Sequence, residues 1–316
     1  MAASPPERLI WVMDAAETPE VGPLDVVVGV SQGRTRPTPH PRFDVLLADD
    51  PDAGRPWVSL SPDGVHDAVA ELSNAVLRHP IAAGVAAQVL RVSEPLDFAA
   101  ALAVESLAYS ALLAGAEFKA WRAGRPVRKP PSDGPRVRLE RQDARLVIAL
   151  GRAEARNAFD ARMRDDLVEA LEFALIDPDR APVALTGDGP AFSAGGDLDE
   201  FGTATDLALA HAVRVEQSPA RLVHALGDRI TAHVHGACVG AGVEVPAAAA
   251  RVVARPDAWF RLPEVAMGLI PGAGGTASIP RRIGRHRACF MALSGRDIDV
   301  DTALTWGLVD ALEPAP

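Results

Sequence analysis

The stretch TAHVHGACVGAGVEVPAAAARVVARPDAWFRLPEVAMGLIPGAGGT, residues 231–276, constrains the fold more than any other part of the chain. A β-rich run, Thr231–His235, meets small residues from Gly236 to Gly242, and Glu244 then precedes an alanine-rich segment predicted to be helical. That is a strand feeding a helix N-terminus through a glycine turn. Glycine adopts the torsions such a turn requires, and the first N–H groups of a helix lack internal partners. A ligand can therefore come close to backbone donors that carry partial positive charge. Glu264 stands in LPEVAMG, directly ahead of a second glycine cluster from Pro271 to Thr276. Two carboxylates flanking an oxyanion donor make an acid/base site for chemistry beside a carbonyl.

Composition narrows the partners. The 316 residues can bury a large core, and 48% hydrophobic with 23% charged residues is ordinary for a globular chain. A net charge of −10 argues against nucleic acid and anionic membranes as partners. Cys238 and Cys289 lack ligand or redox spacing, no apolar run reaches the roughly 20 residues of a spanning helix, and MAASPPERLIWVMD has no signal-peptide core. A cytoplasmic protein without a metal is expected.

Along the chain, residues 1–62 hold short β-like runs at Leu24–Val30, Phe43–Ala48 and Trp57–Leu60 between Pro- and Gly-rich turns. Asp44, Asp49, Asp50 and Asp52 have no ligand spacing and fit solvated turns. From Ser61, helical periodicity sets in: one helix with Val65, Leu72 and Val76 on its apolar face, a second from Ile81 to Val92, and a third over Leu96–Arg122. Residues 63–131 are thus a helical subdomain ending in a Pro-rich basic linker, and residues 132–316 form the core. There, Arg136–Leu150 reads as two strands turning at Asp143, Arg162–Leu175 as an amphipathic helix and Ala181–Thr186 as a buried parallel strand. That strand enters GDGPAFSAGGDLDEF, read as strand, tight turn and helix, with Asp197 and Asp199 as helix-start residues.

The segment Gly240–Thr276, together with Leu185–Phe201, resembles the crotonase (enoyl-CoA hydratase/isomerase) superfamily. The resemblance implies an α/β fold with a ββα spiral core, here preceded by the small β-containing unit and the helical subdomain. It implies an acyl-CoA thioester as substrate, no bound cofactor, and a homo-oligomer, a trimer or dimer of trimers. By the same match, the N–H groups of Gly196 and Ala241 form the oxyanion hole and Glu244 and Glu264 are catalytic. The loop at Ala155, Arg156 and Asn157 faces the CoA adenine and phosphates, while Ala194, Gly195, Gly240, Pro271 and Gly272 border the substrate. Retention of both glutamates points to hydration of an α,β-unsaturated thioester. Double-bond isomerisation, thioester hydrolysis and non-catalytic acyl-CoA binding remain alternatives.

Two departures stand out. Arg261 replaces the family's usual glycine three residues before Glu264 and is expected to crowd the pocket or meet a substrate carboxylate. Residues Val65–Lys129 resemble helices that the family places after the core, so a circular permutation is expected. His233 and His235 fit packing or turn hydrogen bonding, and Ser193 has no base at hydrolase spacing.

Overall fold

A computed structural model describes residues 9–33, 36–125 and 134–313. The chain opens on strands β1 (Ile10–Asp14), β2 (Val26–Ser31), β3 (Val45–Ala48) and β4 (Val58–Ser59), paired in that order and all parallel. Parallel strands are covered on both faces, which explains the unbroken apolar runs of β2 and β3. Val26, Val28, Val45 and Leu47 enter the main core, while Val27, Leu46 and Ala48 meet Phe43 and Trp57 on the other side. β1 escaped sequence reading because its half-exposed IWVMD shows no clean alternation. Two of the aspartates expected in solvated turns are instead buried ion-pair partners: Asp44 pairs with Arg42 and with the distant Arg91, and Asp50 with Arg36.

Four helices follow: α1 (Pro62–Arg78), α2 (Pro80–Ser93), α3 (Phe98–Leu113) and α4 (Ala116–Ala123). Ser61 caps α1 by accepting the Gly64 N–H at 3.1 Å, and Asp97 caps α3 by accepting that of Ala100 at 2.8 Å. The third helix expected over Leu96–Arg122 is two helices, bent by 62°. Gly115 is the break: it turns extended as the cap of α4, and a β-carbon there would press within 2.9 Å of the Leu112 carbonyl. Among the described residues no single helix is long and apolar enough to cross a membrane. The Pro-rich linker falls mainly on residues 126–133, outside the described residues.

The remainder winds between two sheets. β5 (Val137–Gln142) and β6 (Arg145–Leu150) form a hairpin that turns at Asp143, whose φ is +52°. Then come α5 (Ala161–Ile176), β7 (Val183–Gly187), α6 (Leu207–Glu216), α7 (Pro219–Leu226), β8 (Ile230–Val234), β9 (Ala237–Val239) and α8 (Ala241–Glu244). β10 (Arg251–Ala254), β11 (Trp259–Arg261), α9 (Gly275–Ile283), α10 (Arg285–Ser294), β12 (Ile298–Asp299), α11 (Val300–Trp306) and β13 (Ala311–Leu312) complete the chain. The large sheet runs β13-β10-β8-β7-β6-β5, and the small one β12-β11-β9. Each turn of the winding puts one strand in each sheet and then a helix: β8, β9, α8, followed by β10, β11, α9. This is the ββα spiral.

Two local expectations are corrected. The alanine-rich segment after Glu244 is not a long helix: α8 gives way to a single tight turn at Pro246–Ala248, and Ala249 is already extended. Pro246 has no N–H to continue the helical ladder. No helix starts at Asp197 either. Its carboxylate pairs with Arg152 at 2.9 Å and accepts the Asp199 N–H at 3.1 Å, holding a turn, and α6 begins only at Leu207.

Candidate active site

Two glycine junctions, distant in sequence, are pressed together. Gly195 has φ +87°, and a β-carbon on it would lie 2.7 Å from the Val239 carbonyl. At Gly242 the same addition would lie 2.5 Å from the Ser193 carbonyl. Val239 N–H donates to Ser193 and Ser193 N–H to Ala237, so the turn after β7 is hydrogen-bonded along β9. The absence of side chains lets the two backbones close to this distance. Gly196 and Ala241 consequently face one cavity of about 260 Å³. Neither N–H has a backbone or side-chain acceptor among the described residues. Ala241 is the first residue of α8, where an unpartnered donor is the rule.

Both predicted carboxylates line the same cavity and are buried. They converge on Gly240, φ +49°, where a β-carbon would lie 2.5 Å from Glu264 Oε1 and 3.8 Å from Glu244 Oε1. Their surroundings differ. Glu244 Oε2 accepts the N–H groups of Ala273 and Gly275 at 2.7 and 2.9 Å. Glu264 Oε2 is buried with no hydrogen-bond partner among the described residues. Burial raises the Glu244 carboxyl to about 7 against those two donors. Burial, then the neighbouring Glu244, drives Glu264 well above the carboxylate range. Like charges this close cannot both ionise cheaply, and the pair titrates as a unit.

Of the other residues expected at the site, Gly272 lines the cavity. Gly240, having no side chain, leaves the carboxylates room to approach its backbone, and Pro271 packs behind Gly275. Gly195 does not itself line the cavity but packs against the Val239 carbonyl. Ala194 donates its N–H to the Arg156 carbonyl at 2.8 Å, which ties the loop at Ala155 to the glycine junction. Arg156 is exposed with φ +51°, and the buried Asn157 beside it, φ +52°, donates to the carbonyls of Asp188, Ala191 and Phe192. Asp160 caps α5 through the Met163 N–H at 2.7 Å. His235 bonds the Gly189 carbonyl and His233 bonds Glu313, away from the cavity.

Arg261 is a correction. It is exposed, its guanidinium lies 3.4 Å from the Asp297 carboxylate, and it does not line the cavity. The pleat of β11 decides this: Phe260 takes the inward side, so its neighbour points out. Only the Arg261 backbone serves the site, its carbonyl accepting the Gly240 N–H at 2.9 Å.

Sequence reading gave no site role to three residues that the fold brings here. Glu105 of α3 is 2% exposed and accepts the N–H groups of Gly274 and Thr276 at 2.8 and 2.7 Å, and the Thr276 hydroxyl at 2.7 Å. Burial and Glu244 push its carboxyl up to about 8, against those three donors. Tyr109, one turn further along α3, meets Gly272 edge-on, and Arg214 of α6 lies over its ring. A buried Glu in an otherwise apolar helix was the available signal for Glu105. Arg214 carried none, because its depth depends on how α6 docks.

Comparison with known proteins agrees with this fold. The enoyl-CoA hydratase/isomerase family model matches residues 140–316. The 2,3-dehydroadipyl-CoA hydratase of Escherichia coli is 37% identical over 177 residues, 56% of this chain and 69% of that protein. The mevalonyl-coenzyme A hydratase of Beauveria bassiana is 33% identical, over 54% of this chain and 63% of its own. Among solved structures, the enoyl-CoA hydratase of Thermoplasma volcanium is similar at 31% identity and a TM-score of 0.53, covering 57% of this chain and 72% of its own. The chain thus spans about two thirds of the relatives it matches, and it belongs to the enoyl-CoA hydratase/isomerase family.

Proposed function

We propose that the protein is a lyase that adds water across the α,β double bond of an acyl-CoA thioester. The observation that carries this reading is the meeting, in one cavity, of two unpartnered backbone N–H groups and two buried carboxylates, one held by backbone donors and one with an unpartnered oxygen. The thioester oxygen sits between the N–H groups of Gly196 and Ala241, which stabilise it as it becomes enolate-like. Removing one such donor typically costs on the order of 3 kcal/mol. Glu244, whose two backbone donors favour its anion, takes a proton from water as the oxygen attacks the β-carbon. Glu264, whose Oε2 has no donor to hold it as an anion, delivers a proton to the α-carbon. Exchange of one proton between the carboxyls and solvent restores the starting state.

The CoA moiety extends toward the loop at Ala155 and Arg156, where the exposed guanidinium can meet phosphate. No bound cofactor enters this scheme, and family resemblance supports a trimer or dimer of trimers. The same resemblance supports reading α1–α4 as the family's closing helices placed ahead of the core, since Glu105 joins α3 to Gly274 and Thr276 beside the acyl cavity. Superposition on the Thermoplasma relative, ignoring chain order, tests that: α2 and α3 should overlie helices that follow its matched segment, and empty space there would oppose it.

A product screen tests the reaction. Enoyl-CoA should lose its conjugated absorbance and yield 3-hydroxyacyl-CoA, and 3-enoyl-CoA and β-diketone substrates should turn over poorly. Isomerised or hydrolysed product in place of the hydroxyacyl thioester would transfer the site to another reaction of the family.

A further inference from the structure

Two arginines line the cavity, and they differ in what holds them. Arg164 pairs with Asp165 at 2.7 Å. Arg214 is half-buried, yet no carboxylate of the described residues lies within 4.0 Å of it. Its partners are neutral: Nε donates to Ser106 Oγ at 3.1 Å, Nη2 to the Ser106 carbonyl at 3.4 Å and to Ser110 Oγ, and its face lies 4.9 Å from the centre of the Tyr109 ring. Nη1 donates to nothing among the described residues. A guanidinium keeps its charge at any ordinary pH and offers its donors in a planar fork that fits a carboxylate. Withdrawing such a charge from water is costly unless an anion completes its shell. Glu105, a carboxylate whose charge acts on it, is already committed to Gly274 and Thr276. Tyr109 places Arg214 relative to the reaction: the ring's edge abuts Gly272, in the wall that anchors Glu244, and its face carries the guanidinium.

We propose that this cavity selects acyl chains bearing a carboxylate at the end distal to the thioester, with Arg214 as the receptor for that carboxylate. The inference rests on the reading above, in which the thioester lies between Gly196 and Ala241. It also gives Ser106 and Ser110 a role: spaced one helical turn apart on α3, they hold the guanidinium in one orientation and leave Nη1 for the ligand.

Calorimetric binding of saturated thioesters tests this without needing turnover. The probes are succinyl-, glutaryl-, adipoyl- and suberoyl-CoA, each against the butanoyl-, pentanoyl-, hexanoyl- or octanoyl-CoA of equal length, and CoA itself. At the best-fitting length, the wild type should bind the carboxylated chain about 10- to 100-fold more tightly than its alkyl counterpart, the scale of a charge-assisted hydrogen bond. Arg214→Met should erase that preference while changing alkyl-CoA and CoA affinity by less than about threefold, and Arg214→Lys should retain part of it. Three results would overturn the proposal: no preference at any length in the wild type, a preference that survives Arg214→Met, or equal weakening of all ligands including CoA. The last would make Arg214 a staple between α6 and α3 or a CoA contact. If the preference holds but neither 2-hexenedioyl-CoA nor 2-hexenoyl-CoA is hydrated, the selectivity stands and the hydratase reading falls.

Discussion

The two walls of the cavity are built by different means. One is backbone: the junctions at Gly195–Gly196 and Gly240–Gly242 meet, and the absence of side chains turns two N–H groups toward one point. The other is made of side chains on helices, with Glu105 and Tyr109 from α3 and Arg214 from α6. The backbone wall tolerates almost no change, since a β-carbon at Gly242 would strike a carbonyl 2.5 Å away. Apart from Glu105, which holds Gly274 and Thr276, the helical wall can exchange side chains while the ladders of α3 and α6 persist. Under the proposed function, fixed chemistry on one side and adjustable selection on the other would follow from that difference.

The largest effect should come from the carboxylates between the walls. Glu244→Gln and Glu264→Gln should each lower enoyl-CoA hydration by at least about 10²-fold, the usual scale for a positioned acid or base, with thioester binding nearly unchanged in calorimetry. Full activity in Glu244→Gln alone would favour an isomerase; full activity in both would make the glutamates structural.

Stability separates the walls next. Glu105→Leu leaves two backbone N–H groups and a hydroxyl without an acceptor, each costing about 1–3 kcal/mol, and should lower the urea midpoint most. Gly242→Ala should cost about 1–3 kcal/mol through overpacking and should also depress hydration, because Ala241 moves with it. A Gly242→Ala protein of unchanged stability and activity would break the claim that the backbone wall is intolerant.

The pH dependence of stability follows from the buried acids. Glu244 and Glu105 are raised from an ordinary 4.5 to about 7 and about 8, so the folded state holds protons that the unfolded chain has released. Their contribution is therefore full below about pH 4.5 and is lost as pH rises through 7 and 8. The urea midpoint should fall over that window, and more gently in Glu105→Leu. An equal slope in the variant would remove Glu105 from the account. The smallest effect belongs to Arg261→Gly: an exposed pair with Asp297 is worth about 0–1 kcal/mol, and kcat/KM should stay within about twofold.

How much of this was legible follows the same division. Glycine, strand and turn signals are local, so β5 to β8, the junctions and both glutamates could be read from neighbouring residues, whereas β9 to β13, two to four residues each, carry too little pattern to be read that way. The parallel pairing of β1–β4 depends on what lies across the fold. Arg261 misled because its place in the sequence, three residues from Glu264, says nothing about which face of β11 it takes. Arg214 stayed hidden for the converse reason: nothing beside it in the chain announces Ser106, Ser110 and Tyr109.

The most direct measurement is a crystal structure with an acyl-CoA thioester bound. The thioester oxygen should lie within about 3.2 Å of the nitrogens of Gly196 and Ala241, with the acyl α- and β-carbons facing Glu264 and Glu244. An oxygen more than about 4 Å from both nitrogens, out of hydrogen-bond range, would contradict the account.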